Sequence, residues 1–312
     1  MIENFIMIAQ QVLVLFVLIA VGFICGKKGI LTDSASKHLT DIVLYVVTPC
    51  VMINAFQREF SFELLGKILT ASLCAVLIIA GSILLAKLLL RDKDESRKKV
   101  LQFAVIFSNC GFMSLPLQKA ILGDDGWFYG SIFVAVFNIF VWTYGLVVMS
   151  GDKKQLSIKR LAFNPGIVGV VAAIILFVCN INLPFIISKP VEYLSDLNTP
   201  IPMLVIGFYL SQANFKKAFS DRGAYLAMAV RLLIIPIVAT FAMALFRLDS
   251  AIIVAFIIAS SAPTAATTTM FAAKYNRDVE LSVSLVASTT LVSIATMPLV
   301  VALAQTVTQI LV

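Results

Sequence analysis

The chain has little charge and almost none of the residues that do chemistry. Of its 312 residues only 13% are charged, against about 25% in a soluble globular chain. Hydrophobic residues make up 60% and the mean hydropathy is +1.00, which excludes a soluble domain and makes this an integral membrane protein. There is one histidine, His38, in a polar loop. There are five cysteines (Cys25, Cys50, Cys74, Cys110 and Cys179) and no CxxC pair, so they read as small apolar packing residues. No nucleotide loop, catalytic triad, haem motif or HExxH appears, so no enzyme activity, cofactor or metal is expected. The first residues, MIENF, lack the basic flank of a cleavable signal peptide, and the first apolar segment is expected to be retained.

Long apolar runs are what the chain does have. Runs of about 20 residues can cross the ~30 Å hydrocarbon core as helices. Ten are read: 5–26, 35–56, 63–90, 100–122, 127–149, 164–181, 194–212, 223–246, 250–273 and 279–311. Pro184, Pro190, Pro200 and Pro202 cut the region of the sixth and seventh spans.

The net charge of +7 is a topology signal rather than a nucleic-acid signal. The loops after the odd-numbered spans hold eighteen Lys and Arg, among them Lys27, Arg97, Lys153, Lys159, Arg160, Lys216, Lys217 and Arg277. The alternate loops hold four: Arg58, Lys119, Lys189 and Arg247. Basic loops stay in the cytoplasm. Both termini are therefore expected outside, in a multi-pass protein of the plasma (inner) membrane. Trp127 and Tyr129 would be belt aromatics at the outer end of the fifth span.

The chain also carries an internal repeat. Thr48, Pro49 and Met52 in the second span recur as Thr199, Pro200 and Met203 in the seventh, 151 residues on. About the same shift carries SNCGFMSLPL (108–117) in the fourth span onto SSAPTAATTTM (260–270) in the ninth. Both stretches put small, polar and proline residues inside an apolar run. The period holds five spans, an odd number, so the second copy enters the membrane inverted. Inverted repeats mark secondary transporters. The expected units are 1–150 and 151–312.

Pro116 and Pro263 lack the N–H that would bond the carbonyls of Phe112 and Ala259. In hydrocarbon such orphans cost several kcal/mol, so the breaks belong inside the protein or beside water. Gly111, Ser108, Ser260, Ser261 and Ala262 allow close backbone approach. Two broken helices meeting near the midplane would present N-terminal N–H groups and a partial positive charge to an anion. Asn109, Thr264, Thr267 and Thr268 would add neutral hydrogen bonds. Asp41 and Arg231 lie about two turns into the second and eighth spans. They are candidates for proton or ion coupling, for pairing with each other or, for Arg231, for snorkelling.

Several of these stretches together resemble the auxin efflux carrier family. They are SNxGFxxLPL (108–117), SAPTAATTTMFAAKYNRD (261–278), VGFICGKKGIL (21–31), FNPGIVGVV (163–171) and INLP (181–184). The resemblance runs over nearly the whole chain, which looks like a compact bacterial-type member without the long central loop of many plant members. It implies an all-α fold of ten transmembrane helices in two inverted five-helix repeats, with broken helices four and nine crossing, as in bile-acid symporters and sodium–proton antiporters. Helices one, two, six and seven would form a scaffold, often dimeric; helices three to five and eight to ten would form a moving transport domain. The substrate site would gather Asn109, Gly111, Pro116, Pro263 and Thr264, with Asn138 from helix five and the surroundings of Pro49 and Asn54 from helix two. Ser114 stands where many members have glycine.

The reading is a secondary transporter of a small organic anion, either an auxin-like monocarboxylate or a malate- or malonate-like dicarboxylate. It would work by efflux or exchange through elevator-type alternating access. Proton- or sodium-coupled uptake is the alternative, with an anion channel or ligand sensor behind it. The expected partners are that anion, the bilayer and a second copy of the chain at the scaffold; nucleic acid is not among them.

Overall fold

Short polar side chains start seven of the helices. Thr32 Oγ1 accepts from the Ala35 amide at 3.2 Å, Ser61 Oγ from Leu64 at 3.1 Å and Asn164 Oδ1 from Ile167 at 3.3 Å. Asp94, Asp221, Asp249 and Asp278 cap in the same way, each side chain satisfying an amide that the first turn leaves without a partner. The computed structural model describes residues 2–152, 154, 163–213 and 221–311. Lys153, Lys159, Arg160, Lys216 and Lys217 lie outside the described residues.

The described residues form helices and no sheet. In chain order they are α1 (Ile2–Lys27), α2 (Asp33–Ala55), α3 (Phe62–Leu89), α4 (Glu95–Ile106), α5 (Cys110–Ser150), α6 (Pro165–Val178), α7 (Phe185–Asp196), α8 (Pro200–Gln212), α9 (Arg222–Leu245), α10 (Ser250–Ser261), α11 (Thr267–Lys274) and α12 (Val279–Leu311). Among the described residues, six helices are long and apolar enough to cross a membrane: α1, α2, α3, α5, α9 and α12. The others are short because the chain breaks. α4 and the start of α5 divide the fourth expected span, and α10 and α11 divide the ninth. The seventh, expected over 194–212, is divided: α7 and α8 are separate helices, parted at residues 197–199 ahead of Pro200.

Proline widens helices here as well as ending them. α2, α5 and α9 each contain a π turn (Val43–Val47, Cys110–Ser114 and Val230–Ile234) just before Pro49, Pro116 and Pro236. A proline removes one i→i−4 bond and its ring needs room, and a wider turn supplies that room. In α2 the Thr48 hydroxyl also donates to the Val43 carbonyl at 2.9 Å. α5 folds back on itself at Gly123, whose φ of 62° a residue with a Cβ rarely adopts. Its two arms are residues 110–122 and 124–150.

Two packing groups result. In one, α1 lies along α8, and α2 packs on α6 and α7. In the other, α3, α4, α5, α9, α10 and α12 surround the interrupted segments. α1 and α8 touch backbone to backbone: a Cβ on Gly22 would sit 2.2 Å from the Leu204 carbonyl oxygen, and one on Gly207 2.1 Å from that of Ile19. Trp127 and Tyr129 are corrections to the sequence reading. They are buried, 5% and 4% exposed, because they open the second arm of α5 and pack into the core.

Candidate functional site

The two breaks pair with each other. After Ile106 the chain leaves helical geometry, and Phe107 is extended at φ −103° and ψ 105°. After Ser261 it does so again, with Ala262 at φ −62° and ψ 150°. The extended pieces run antiparallel through Ser108 and Thr264. The Asn109 amide donates to the Pro263 carbonyl at 2.7 Å, and the Ala265 amide to the Phe107 carbonyl at 2.9 Å. Each break thus supplies the hydrogen bonds the other lost, which lets non-helical backbone lie inside an apolar bundle. Thr264 locks the crossing: its amide donates to Thr289 Oγ1 at 3.1 Å and its hydroxyl to the Ala104 carbonyl at 3.0 Å. Ser114 adds a bond from its hydroxyl to the Ile258 carbonyl at 3.2 Å, so serine serves the crossing where the family pattern has glycine.

Four helix ends meet there. α4 and α10 arrive with their C-termini; α5 and α11 leave with their N-termini. Beside the two N-termini is a cavity of about 50 Å³. Asn109, Asn138, Asn198 and Thr267 give it a polar wall; Met52, Phe112, Val134 and Phe137 give it an apolar one. Among the described residues, no charged side chain lines it. That volume is about one or two waters' worth, the size of a carboxylate group rather than a whole metabolite. The cavity shares Leu44, Phe112, Ala266 and Thr267 with a vestibule of about 450 Å³, a volume large enough for the remainder of a small ligand. The vestibule mouth carries Asp33, Lys37, Asp41 and Lys274.

The opposite pole is bridged by two ion pairs. Arg58 pairs with Asp125 at 2.8 Å and lies over the Phe128 ring; Lys119 reaches Asp196 at 3.7 Å and lies over Trp127.

The sequence-derived candidates separate on this geometry. Asn109, Gly111, Asn138 and Thr267 line the small cavity. Pro263 holds the crossing through its backbone carbonyl, and Thr264 through both its amide and its hydroxyl. Gly111 is not a close-approach glycine: a Cβ there would meet nothing nearer than the Val134 side chain at 3.8 Å. Pro116 lies away from the cavity, because the break falls at residues 107–109 and the proline sits inside the following helix. It lines a separate cavity of about 310 Å³ with Gln11, Leu15, Lys119 and Trp127. Pro49 is not in the wall, and its Cα abuts Gly169 of α6. Asn54 donates from Nδ2 to Ser195 Oγ at 3.2 Å, bridging α2 and α7.

Asp41 and Arg231 do not pair. Asp41 stays at the vestibule. Arg231 does not snorkel but is 2% exposed, with Nη1 donating to the Val105 carbonyl at 2.8 Å and the Ile106 carbonyl at 3.3 Å, and Nη2 to the Ser260 carbonyl.

Sequence reasoning missed Asn198. It is 2% exposed, lines the cavity, and donates from Nδ2 to the Gly111 carbonyl at 3.0 Å. Its signal was present, since it stands two residues before Pro200 in a stretch the repeat had marked. Gln118 was missed too: its Nε2 donates to the Ala255 carbonyl at 2.6 Å, tying α5 to α10. Among the described residues, no three His, Cys, Asp or Glu side chains gather as metal ligands.

A family model described as membrane transport protein matches residues 7–160 and 154–301 of the chain. The chain is 26% identical to an uncharacterized transporter of Methanocaldococcus jannaschii, over 91% of this chain and 94% of that one. It is 24% identical to an uncharacterized transporter of Methanothermobacter thermautotrophicus, over 93% and 96%. It is 22% identical to a Rhizobium meliloti protein named "Putative malonate transporter", over 93% of each.

Proposed function

Since the chain belongs to the membrane transport protein family, that of the auxin efflux carriers, we propose that it carries a small organic anion across the membrane by alternating access. The observation that carries the reading is the crossing: two helix N-termini and three asparagines face one small uncharged cavity. Helix N-termini favour negative charge through free amides and the helix dipole. The asparagine amides add neutral donors, and the apolar wall accepts a carbon skeleton.

An uncharged wall balances one carboxylate more readily than two, which favours a monocarboxylate. The name of the Rhizobium meliloti relative favours a dicarboxylate such as malonate. In our reading the scaffold is α1, α2, α6, α7 and α8, and the remaining helices are the transport domain. The inverted five-helix repeat, the ten crossings and the outside termini belong to the same proposal. Support comes from the packing groups and from the recurrence of the small, polar and proline residues about 151 positions apart. Efflux or exchange needs no coupled ion, because an anion leaving a negative interior gains about 2.3 kcal/mol per charge per 100 mV. Coupled uptake is the alternative direction.

Solid-supported-membrane currents from proteoliposomes test this, using mono- and dicarboxylates with and without proton or sodium gradients. A saturable current with one acid is expected, reduced about tenfold or more in Asn138→Ala through loss of a hydrogen bond to a charged group. An Asn138→Ala current equal to wild type would remove the cavity from the reading. Electrically silent, counterflow-negative liposomes across the panel would remove the anion.

A further inference from the structure

Among the described residues, Arg231 is the only charged side chain that is buried, and no carboxylate there pairs with it. Such a charge is unfavourable in an apolar interior unless something answers it. The answer is backbone. Its acceptors, the carbonyls of Val105, Ile106 and Ser260, belong to the last turns of α4 and α10. Those carbonyls are the ones a helix C-terminus leaves without an amide. Each helix C-terminus carries about half a negative charge, so two together match one guanidinium. Nε has no acceptor, so the carbonyls alone hold the group. The side chain leaves α9 from the π turn Val230–Ile234.

In transporters with broken helices, half-helix C-termini and unwound carbonyls coordinate the coupling cation. Here that position is filled from within the chain. We propose that Arg231 is a tethered counter-ion. Its guanidinium occupies the carbonyl cage at the C-terminal ends of α4 and α10 that would otherwise take a free cation, and it holds the crossing in register. The cage then keeps its positive charge in loaded and empty states, and no sodium or potassium ion cycles through it. This rests on the transport reading above for its consequence, but not for its test.

The test uses full-length wild type, Arg231→Ala and Arg231→Met in detergent with choline as the only added cation. Thermal unfolding is followed as sodium or guanidinium is titrated in the low millimolar range. Wild type should show no saturable shift with either. Arg231→Ala should unfold earlier and be restored saturably by guanidinium, which fills the vacated cage. Arg231→Met, which fills the space without charge, should be destabilised and unresponsive, and in liposomes should lose transport by about tenfold or more.

Saturable stabilisation of wild type by sodium would overturn the proposal, as would an Arg231→Ala protein indifferent to guanidinium. Should Arg231→Ala not yield folded protein, Arg231→Met decides: wild-type stability and rate in that variant overturn the proposal. The unfolding measurements contain no organic anion. Guanidinium rescue without carriage of any carboxylate would therefore keep the counter-ion and sink the transport reading.

Discussion

At the scale of single residues, glycines that look alike in sequence do different things. A Cβ at Gly207 would collide with backbone, 2.1 Å from the Ile19 carbonyl oxygen and 2.6 Å from the Phe23 nitrogen, and backbone inside a helix cannot yield. Gly207→Ala should force α1 from α8 and destabilise by about 1–3 kcal/mol, read as an earlier thermal unfolding in detergent. Gly111 lies at the cavity with open space before it. Gly111→Ala should leave unfolding unchanged and alter substrate affinity, because the added methyl enters the binding space. Equal loss of stability in both variants would contradict this division.

At the scale of elements, the helix starts at the Arg97 pole hold one another. Arg97 bonds Asp221, Asp92 at 3.3 Å and Asp278 at 3.5 Å, so the caps of α9 and α12 meet at the first turn of α4. Burial raises the Asp221 carboxyl, but the Arg97 hydrogen bond and the Ala224 amide outweigh it and hold the group below the usual carboxylate range. A lowered folded value means the ionised form stabilises. The contribution is complete above about pH 4 and is lost as pH falls through the lowered value. The unfolding temperature of wild type should therefore drop as pH falls below about 4. In Asp221→Asn that slope should flatten, with about 1 kcal/mol already missing at neutral pH. An unchanged acid slope would remove Asp221 from the account.

At the scale of the molecule, one pole is open and the other is bridged. The vestibule opens beside Lys37 and Lys274, while Arg58–Asp125 and Lys119–Asp196 join the two packing groups at the opposite end. These pairs are partly exposed, with Asp125 at 60% and Asp196 at 56%, so each is worth about 0.2–1 kcal/mol. That is too little to lock a state but enough to bias one. Arg58→Gln with Lys119→Gln should shift the equilibrium toward opening of that pole by about two- to thirtyfold. Labelling of a cysteine placed at Thr199, in the cavity beneath the bridge, should become faster. Slower or unaltered labelling would show that the bridge does not set the balance.

The sequence by itself determined much of this protein. Hydropathy and the low charge fixed a membrane-embedded helical chain, because apolar runs of that length have no other stable solvent. The paired interruptions at 108–117 and 260–270 marked where the helices break, because small residues and proline weaken a helix wherever they stand. Whether a given proline breaks a helix or merely widens it was decided by neighbours. Pro116 continues α5 through a π turn, while Ser108 and Thr264 part their helices because each finds the other's backbone across the crossing. Only the tertiary structure set Asn198 against the Gly111 carbonyl, 87 residues away, and turned Arg231 inward onto carbonyls 29 and 126 residues away, partners that no local pattern encodes. Local chemistry says what a segment can tolerate; the partner brought by folding says which of the tolerated states has its hydrogen bonds and charges satisfied.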